Sequence, residues 1–364
     1  MRYQRCTRCI MDTVADPNIT FDAEGHCQYC NHAIAQINTT TYFPNEEGKR
    51  RLDTILPQIK ADGKGKPYDC IMGISGGLDS SYLAYLGYKW GLRILAFHVD
   101  DGYDTEFSKE NIRKLCEKGN IELRIITPDQ CQYDALTHAY MEAGVPNLAI
   151  PQDNILFASL YREVVATKIP YFLSGGNFAL ECILQRGNTH GSMDLTNLRD
   201  IQKKFGTEPI DKLHFISSYK KYLMKKTGRL KELRLLNYID YNRDRAFHEL
   251  SDFCGFEYYG RKHLENILTA FIQLYWLPRK FKTDKRTSHL SSMIVSGQMT
   301  REQALKELEE PLYDEKMMDG YISIIKGRLG FSDADFDRIM NAPAHQHTDY
   351  KTDRLDAILR KILQ

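Results

Sequence analysis

The residue types best suited to chemistry in this chain stand together in one short segment, Ser75-Gly76-Gly77-Leu78-Asp79-Ser80-Ser81. An apolar run at residues 70–74 precedes the segment and predicts a buried strand, and residues 82–90 after it predict a helix. A Gly-Gly turn between a strand and a helix lets backbone N–H groups approach an anion closely, and the helix N-terminus adds a positive partial charge. The segment therefore predicts a phosphate site.

This predicted site has no lysine, so it differs from the GxxxxGK[ST] loop that grips a γ-phosphate in kinases and ATPases. The alternative is a glycine-rich turn whose helix is capped by Asp79 or Ser80. We favour the phosphate interpretation because strand, turn and helix all occur where such a site requires them.

Four cysteines near the N-terminus form two CxxC pairs with seventeen residues between them: Cys6, Cys9, Cys27 and Cys30. Each pair can point two thiolates at one tetrahedral metal ion, and four ligands close the site, so we expect structural zinc. An iron–sulfur cluster or a redox pair is the alternative.

Strands predicted at residues 70–74, 94–100, 122–127 and 171–173 alternate with helices. This alternation predicts an α/β fold with a doubly wound parallel sheet, whose ligands bind at the carboxyl ends of the strands. We expect a zinc-ribbon module at residues 1–45, the α/β domain at 46–215, a helical domain at 216–345 and an amphipathic helix at 346–364.

Two more strand ends carry polar residues. Asp100 and Asp101 follow the second strand, where they could contact a ligand or cap a helix predicted at 105–115. A second glycine-rich turn, Ser174-Gly175-Gly176-Asn177, follows the fourth strand and leads to Glu181. Since Mg²⁺ prefers carboxylates and phosphate oxygens, Asp79 and Glu181 are predicted to hold Mg²⁺ on a bound pyrophosphate group.

A run of five cations follows Pro278: Arg279, Lys280, Lys282, Lys285 and Arg286. A solvated charge run is the usual explanation for such a segment. We expect instead that Lys280, Lys285 and Arg286 close over the bound pyrophosphate group from a turn that begins at Pro278.

The balance of 49 basic and 48 acidic residues argues against a dedicated nucleic-acid binder. No signal-like segment and no apolar run of about 18 residues is present, so we expect a soluble, cytoplasmic protein with no membrane or nucleic-acid partner.

The SGGxDS pattern at Ser75–Ser80 resembles the PP-loop of ATP pyrophosphatases, which split ATP between its α and β phosphates. Several motifs extend the resemblance to the bacterial N-acetyl sugar amidotransferases of surface-glycan synthesis, such as O-antigen or pseudaminic-type sugars. They are the two CxxC pairs, both SGG turns, PRKF at 278–281, DKR at 284–286 and SGQMTRE at 296–302.

The resemblance implies an adenine-nucleotide α-hydrolase-like fold, with adenosine near His98, Val99 and Asp100 and phosphates near Gly175, Gly176 and Asn177. It implies that ATP and ammonia convert an N-acetyl group of a nucleotide-linked sugar into an acetamidino group. The ammonia would come from a glutaminase–synthase pair resembling the imidazole-glycerol-phosphate synthase subunits, and a homodimer remains open. Asn177 stands where many relatives have histidine, and Arg261 stands where a small residue is expected.

Two other classes compete with this interpretation. A PP-loop tRNA-modifying enzyme, of the thiolase or lysidine type, would share the loop and the CxxC pairs, and Cys182 beside Glu181 is its candidate thiol. A non-catalytic zinc-ribbon nucleotide sensor is disfavoured because the carboxylates for Mg²⁺ are present.

Overall fold

The structure, a computed structural model, describes residues 3–185, 187–257, 264–355 and 358–359. Its centre is a parallel sheet with the strand order β3-β2-β1-β4-β5. The strands are β1 Cys70–Gly73, β2 Ile94–Val99, β3 Glu122–Ile126, β4 Tyr171–Leu173 and β5 Lys231–Leu233.

Helices surround the sheet and form the C-terminal region. In the first half of the chain they are α1 Gln28–Gln36, α2 Glu46–Asp62, α3 Leu78–Lys89, α4 Glu106–Lys118, α5 Gln130–Glu142, α6 Ile150–Thr167 and α7 Phe178–Glu181. In the second half they are α8 Leu195–Phe205, α9 Ser218–Lys226, α10 Arg243–Cys254, α11 Ile267–Phe271, α12 Leu277–Phe281, α13 Arg286–Val295, α14 Arg301–Glu309, α15 Glu315–Leu329 and α16 Asp333–Asn341.

The burial of β2 shows that the sheet is covered on both faces. Ile94 and Ala96 belong to one apolar cluster, whereas Leu95 and Phe97 belong to another. Because successive side chains of a strand point to opposite faces, both faces of the sheet are packed, as a parallel sheet requires. The predicted doubly wound α/β fold and its four predicted strands are confirmed.

The sheet extends further along the chain than the sequence indicated. β5 pairs with β4 through Tyr171 and Lys231, so the predicted domain end at residue 215 falls before the last strand. The other predicted domain boundaries stay predictions.

The predicted turn at Pro278 is wrong. The chain stays helical from α11 through a π-helical turn at Ile272–Trp276 into α12, where Pro278 lies in the first turn. Because the residues before it are also helical, Pro278 lies inside a continuous helical stretch, where its missing N–H removes one backbone hydrogen bond directly after the π-helical turn.

The C-terminal helices share an apolar cluster with α5, α6 and α8, and this cluster includes the buried Trp276, Phe271 and Phe336. The amphipathic helix predicted from residue 346 is not formed at its start, since residues 351–353 are non-helical and Leu355 and Ile358 are exposed. Two more apolar residues of this predicted helix, Ile362 and Leu363, lie outside the described residues. Among the described helices, none has both the length and the apolar composition to cross a bilayer.

Candidate active site

The first glycine turn has the backbone geometry of a tight anion-binding loop. Gly76 has a φ of +76°, and a Cβ atom placed on it would lie 2.5 Å from the carbonyl oxygen of Ser108, so glycine is required. The Ser75 hydroxyl accepts a hydrogen bond from the Gly77 amide at 3.2 Å, and it lies 3.3 Å from the Ser80 hydroxyl. These contacts fix the turn at the carboxyl end of β1.

The start of α3 is arranged to receive an anion. Gly77 is its N-cap residue and has no side chain that could occupy the first amides of the helix. The four N-terminal amides of a helix need acceptors and carry a positive partial charge, so a phosphate fits this position. The alternative predicted from sequence, a cap by Asp79 or Ser80, is not what the structure shows.

The second glycine turn touches the first. A Cβ atom placed on Gly175 would lie 3.1 Å from both the Cα and the amide nitrogen of Ser80. Ser75, Ser80, Ser174 and Gly175 line the same cleft, whose volume is about 330 Å³. The structure therefore brings together the two loops at the carboxyl ends of β1 and β4, as expected for adjacent parallel strands.

Asn177 has a structural role in this second turn. Its Oδ1 accepts from the Leu180 amide at 2.9 Å, and its own amide donates to Glu181 Oε2 at 3.4 Å. The two side chains thus cap the short helix α7 from both directions. Because Asn177 is only 3% exposed, Gly175 and Ser174 present the turn to the cleft.

Asp79 and Glu181 both lie near the buried hydroxyl of Tyr241. Tyr241 donates a hydrogen bond to Asp79 Oδ1. Burial raises the pKa of Tyr241 far above its ordinary value, and the charges of Asp79 and Glu181 add to that effect. Asp79 therefore contacts Tyr241 directly, and Glu181 lies near enough to act on the same tyrosine through its charge. Two carboxylates are among the ligands that Mg²⁺ prefers.

Arg234 is a site residue that sequence reasoning missed. It follows the last residue of β5, and a Cβ atom placed on Gly176 would lie 3.8 Å from its Nε. Within the described ranges its guanidinium has no hydrogen bond or carboxylate partner. Its position one residue after an apolar-ended strand was the available signal, but β5 itself was not predicted.

The end of β2 carries a buried ion pair. His98 Nδ1 donates to the Ile74 carbonyl at 2.9 Å, and its Nε2 lies 2.8 Å from Asp104 Oδ2. Burial lowers the pKa of His98, but the hydrogen bond and charge of Asp104 outweigh it, so the pKa lies above its ordinary value. His98 therefore holds the backbone immediately before Ser75.

Asp101 is held in a dense set of donors rather than at a helix cap. It accepts from the side chains of Tyr133 at 3.0 Å, Gln152 at 2.5 Å and Asn266 at 3.0 Å. Burial raises its pKa, and the nearby charge of Asp104 adds to this. The helix-capping alternative is wrong because Thr105 caps α4.

Of the remaining residues predicted to contact the nucleotide, some line the cleft and others do not. Val99 and His98 line the cleft. Asp100 does not, and its Oδ1 accepts from the Gly102 amide at 2.9 Å. Ser81 is fully buried and also lies outside the lining. Their contacts with adenosine or phosphate stay predictions.

The basic run is not gathered at the cleft. Lys280 donates to the carbonyls of Ile339 and Ala342, both at 2.7 Å, at the C-terminal end of α16. Arg286 pairs with Asp284 and donates to carbonyls at the end of α14, such as that of Glu307 at 3.0 Å. Lys280 and Arg286 therefore do not cover the phosphates as predicted. They bind carbonyls at the C-terminal ends of helices, a common role for cations.

Lys285 stands at the N-cap of α13 and is likewise absent from the cleft lining. Burial lowers its pKa to about 8. Its predicted role at the pyrophosphate stays a prediction.

The thiols of the four predicted metal ligands, Cys6, Cys9, Cys27 and Cys30, lie close together. All their Sγ atoms lie within 4.8 Å of one another, with Cys6–Cys30 at 3.7 Å and Cys9–Cys27 at 3.5 Å. Zinc–sulfur bonds of about 2.3 Å in a tetrahedron put sulfurs about 3.8 Å apart. The spacing fits one ion, whereas a four-iron cluster binds each thiolate through a different iron and holds the sulfurs further apart.

The cysteine module is tied to the C-terminal region. Arg301 donates from Nε to the Cys9 carbonyl at 3.1 Å and from Nη2 to the Cys6 carbonyl at 3.2 Å. The Ile10 amide donates to the Ser291 hydroxyl at 3.2 Å. This explains a structural role for the SGQMTRE motif, to which Arg301 belongs.

Cys182 does not have the environment of a reactive thiol. Burial raises its pKa to about 12, and its Sγ lies 3.8 Å from the Ser292 carbonyl oxygen. Since the thiolate is the reactive form, this cysteine does not support the thiolase alternative.

Residues 265–363 match a family model described as LPS biosynthesis protein WbpG-like, C-terminal domain. Over these residues, the resemblance to a surface-glycan biosynthesis family is confirmed. A comparison with curated proteins finds no match.

Three solved structures are similar at low identity. A U34-tRNA thiolase, NcsA, from Methanococcus maripaludis with its [4Fe-4S] cluster is 14% identical, with 90% of this chain and 89% of that chain covered and a TM-score of 0.36. An NH3-dependent NAD synthetase from Campylobacter jejuni is 16% identical, with 57% of this chain and 93% of that chain covered and a TM-score of 0.30. An NMN synthetase from Francisella tularensis is 14% identical, with 78% of this chain and 97% of that chain covered and a TM-score of 0.35. These likenesses are too distant to assign an activity.

Proposed function

We propose that this chain is an ATP-dependent amidotransferase that converts an N-acetyl group of a sugar, carried on a nucleotide, into an acetamidino group and releases AMP and pyrophosphate. The observation that carries the proposal is the contact between the two glycine turns, which brings the N-terminus of α3, uncapped by any side chain and with Asp79 in its first turn, next to the turn that leads to Glu181. The match of the C-terminal region to a lipopolysaccharide biosynthesis family supports a sugar as acceptor.

The first turn and the start of α3 would hold the β- and γ-phosphates through backbone amides. Asp79 and Glu181 would hold Mg²⁺, which supplies charge neutralisation on the phosphate oxygens when bound. Arg234 replaces the basic run as the cation next to the leaving group, because it flanks Gly176 and lacks a carboxylate partner within the described ranges. Charge-assisted contacts of arginine to phosphate are strong and directional.

The chemistry requires two displacements. The amide oxygen of the N-acetyl group attacks the α-phosphorus, the bond to the bridging oxygen breaks, and pyrophosphate leaves. Ammonia then adds to the activated carbon and loses a proton, and the carbon–oxygen bond breaks to release AMP. The oxygen of the acetyl group thus leaves on AMP, and nitrogen takes its place. The protein would contribute mainly positioning and electrostatic stabilisation.

The cleft beside the phosphate loops supports the binding of the uncharged, hydroxyl-rich sugar ring of the acceptor, or of a ribose. Gln152, Asn266 and Thr269 contribute amide and hydroxyl groups to its lining, alongside apolar residues such as Phe157 and Leu160. Pockets of this kind combine apolar walls with a few polar groups that fix orientation.

Ammonia would be supplied by a separate glutaminase–synthase pair, as the resemblance implies. Cytoplasmic localisation and a homodimer stay expectations from the sequence.

The decisive experiment incubates nucleotide-linked N-acetyl sugars with the purified protein, ATP, Mg²⁺ and ammonium, followed by mass spectrometry. Replacement of one oxygen by NH in the sugar, with AMP and pyrophosphate in equal amounts, is the expected result. Formation of ADP, or modification of tRNA in place of a sugar, would overturn the proposal. An Asp79→Ala variant is the matched inactive control.

A further inference from the structure

The cleft beside the phosphate loops contains a side chain whose amide is held at both ends. Gln152 lies in the first turn of α6 and lines the cleft. Its Nε2 donates to Asp101 Oδ2 at 2.5 Å, and its Oε1 accepts from the Thr269 hydroxyl at 3.2 Å. Because an ionised carboxylate can only accept, the contact with Asp101 decides which end of the amide is the nitrogen. The orientation of Gln152 is therefore fixed by the protein.

Asp101 itself has no capacity left for a ligand. It accepts four hydrogen bonds, from the Tyr103 amide at 3.0 Å and from the side chains of Tyr133, Gln152 and Asn266. An ionised carboxylate has about four acceptor sites, so these donors use all of them. Burial raises the pKa of Asp101, and its donors act in the opposite direction. Asp101 therefore acts on a ligand only through the groups that it holds.

Asn266 is saturated in the same way. Its Nδ2 donates to Asp101 at 3.0 Å and lies 3.4 Å from Asp104 Oδ1. Its Oδ1 accepts from the Thr269 amide at 3.1 Å. The Thr269 hydroxyl, which has one hydrogen to donate, lies 3.4 Å from Asn266 Oδ1 and 3.2 Å from Gln152 Oε1. Since the backbone amide already serves Asn266, this hydroxyl is available to Gln152.

Gln152 keeps hydrogen-bonding capacity that its neighbours have used. A primary amide has two N–H donors and two acceptor lone pairs, and Asp101 and Thr269 take one of each. Within the described part of the chain, Gln152 has no other partner. Its remaining donor and acceptor match a hydroxyl, because a hydroxyl both donates and accepts.

Apolar residues on the same face of α6 continue the wall of the cleft. Ile155 and Leu156 follow Gln152 by three and four positions, and Leu160 lies one turn further along. A Cβ atom placed on Gly73 would lie 3.0 Å from Leu160 Cδ1, so Leu160 packs on the end of β1. Eight residues of helix, about 12 Å, separate Leu160 from Gln152. The amide therefore lies about two helical turns from the residue that packs on the strand leading into the phosphate loop.

The origin of the residues that hold Gln152 favours the acceptor sugar over the ribose of ATP as the source of the hydroxyl. Asn266 and Thr269 belong to residues 265–363, which match the lipopolysaccharide biosynthesis family model. The two glycine turns that would hold the phosphates of ATP lie outside that match. The part of the chain that is related to sugar biosynthesis is thus the part that orients this amide.

We propose that Gln152 is a specificity-determining residue that binds a ring hydroxyl of the acceptor sugar, and that Asp101 and Thr269 are positioning residues that fix its amide. The inference rests on the proposed function, because it deepens the assignment of the acceptor. A sugar without this hydroxyl would cover the amide and leave it unpaired, so the enzyme discriminates against that sugar.

The test compares the nucleotide-linked N-acetyl sugar that the wild type amidinates with its monodeoxy counterparts. Gln152→Met keeps the length of the side chain and removes both hydrogen-bonding groups. We expect it to lower kcat/KM for the parent sugar about tenfold. It should also abolish the discrimination against one of the deoxy sugars and leave the KM for ATP unchanged.

Thr269→Val is a second variant, because Gln152→Met leaves Asp101 with one donor fewer and Thr269 touches no carboxylate. It should lower kcat/KM for the parent sugar about threefold, since Gln152 loses one of its two supports. Thr269→Ser should restore the wild-type value, because it restores the hydroxyl. A role of Thr269 in packing alone would not give that rescue.

Gln58→Met is the matched control, because Gln58 donates to Asp62 at 2.8 Å on α2 and lies outside the cleft lining. Thermal unfolding checks that each variant is folded. Discrimination that persists in Gln152→Met, or a wild type that treats all the deoxy sugars like the parent, would overturn the inference and leave the proposed function intact. A raised KM for ATP with an unchanged KM for the sugar would overturn it too, since Gln152 would then bind the ribose. A wild type that amidinates no N-acetyl sugar would overturn both proposals.

Discussion

The hydroxyl of Tyr241 donates a hydrogen bond to the carboxylate of Asp79, and the tyrosine ring is fully buried behind the phosphate loop. Tyr241 lies after β5, in a part of the chain with no motif of its own. The contact fixes the orientation of the carboxylate that the sequence singled out first.

Loss of this contact should reduce turnover without unfolding the protein. We expect Tyr241→Phe to slow pyrophosphate release about tenfold or more, since a hydrogen bond to a charged group contributes about 1.5–3 kcal/mol. Asp79→Ala should lower the rate about 10²–10³-fold, as removal of one preorganised electrostatic group does. Discontinuous assays of released pyrophosphate measure the rates of both variants. Asp53→Ala, an exposed position on α2, is the control, and normal release by Asp79→Ala would contradict the site assignment.

Arg234 and Lys280 should behave in opposite ways. Arg234→Ala should weaken inhibition by pyrophosphate about tenfold or more, because a charged hydrogen bond is lost, and leave the midpoint of thermal unfolding nearly unchanged. Lys280→Ala should retain wild-type inhibition and lower stability by about 1 kcal/mol, because it leaves the carbonyls at the end of α16 without their donor. Inhibition assays and calorimetry compare the two variants. A catalytic defect confined to Lys280→Ala would restore the expectation drawn from the charge run.

Local patterns predicted the phosphate loop because its function depends on the local sequence. Gly76 must adopt a positive φ beside Ser108, and the strand and helix around it have strong apolar patterns. The four cysteines were equally predictable, since CxxC spacing itself brings thiolates together.

Residues supplied by distant segments could not be predicted in this way. β5 contains Lys231 and Glu232 in three residues, so it has no strand pattern and exists through its pairing with β4. Arg234 and Tyr241 depend on that strand for their positions. The charge run was misjudged because a cation that binds helix carbonyls and one that binds phosphate look alike in sequence.

The His98–Asp104 pair should make stability depend on pH. The folded-state pKa of His98 is raised, so its contribution is complete below its ordinary value of about 6.5 and is lost as pH rises through the folded-state pKa. We expect His98→Gln to lower the free energy of unfolding by about 3 kcal/mol or more at pH 6, as for a buried pair that loses one partner. The difference from the wild type should shrink towards pH 9. Urea unfolding at several pH values measures it, and a difference that grows with pH would contradict the assignment.

The cysteine module should bind about one zinc ion per chain and depend on it for folding. Cys6→Ser should lose both the metal and solubility, since metal binding and folding are coupled in closed thiolate sites. Arg301→Ala is the informative companion, because Arg301 contacts the Cys6 and Cys9 carbonyls without offering a ligand. That variant should keep its zinc but lose it to a chelator faster than the wild type. Elemental analysis and chelator competition measure both effects. Iron at cluster stoichiometry with visible absorbance would contradict the single-ion spacing of the four thiols and return the thiolase alternative to consideration.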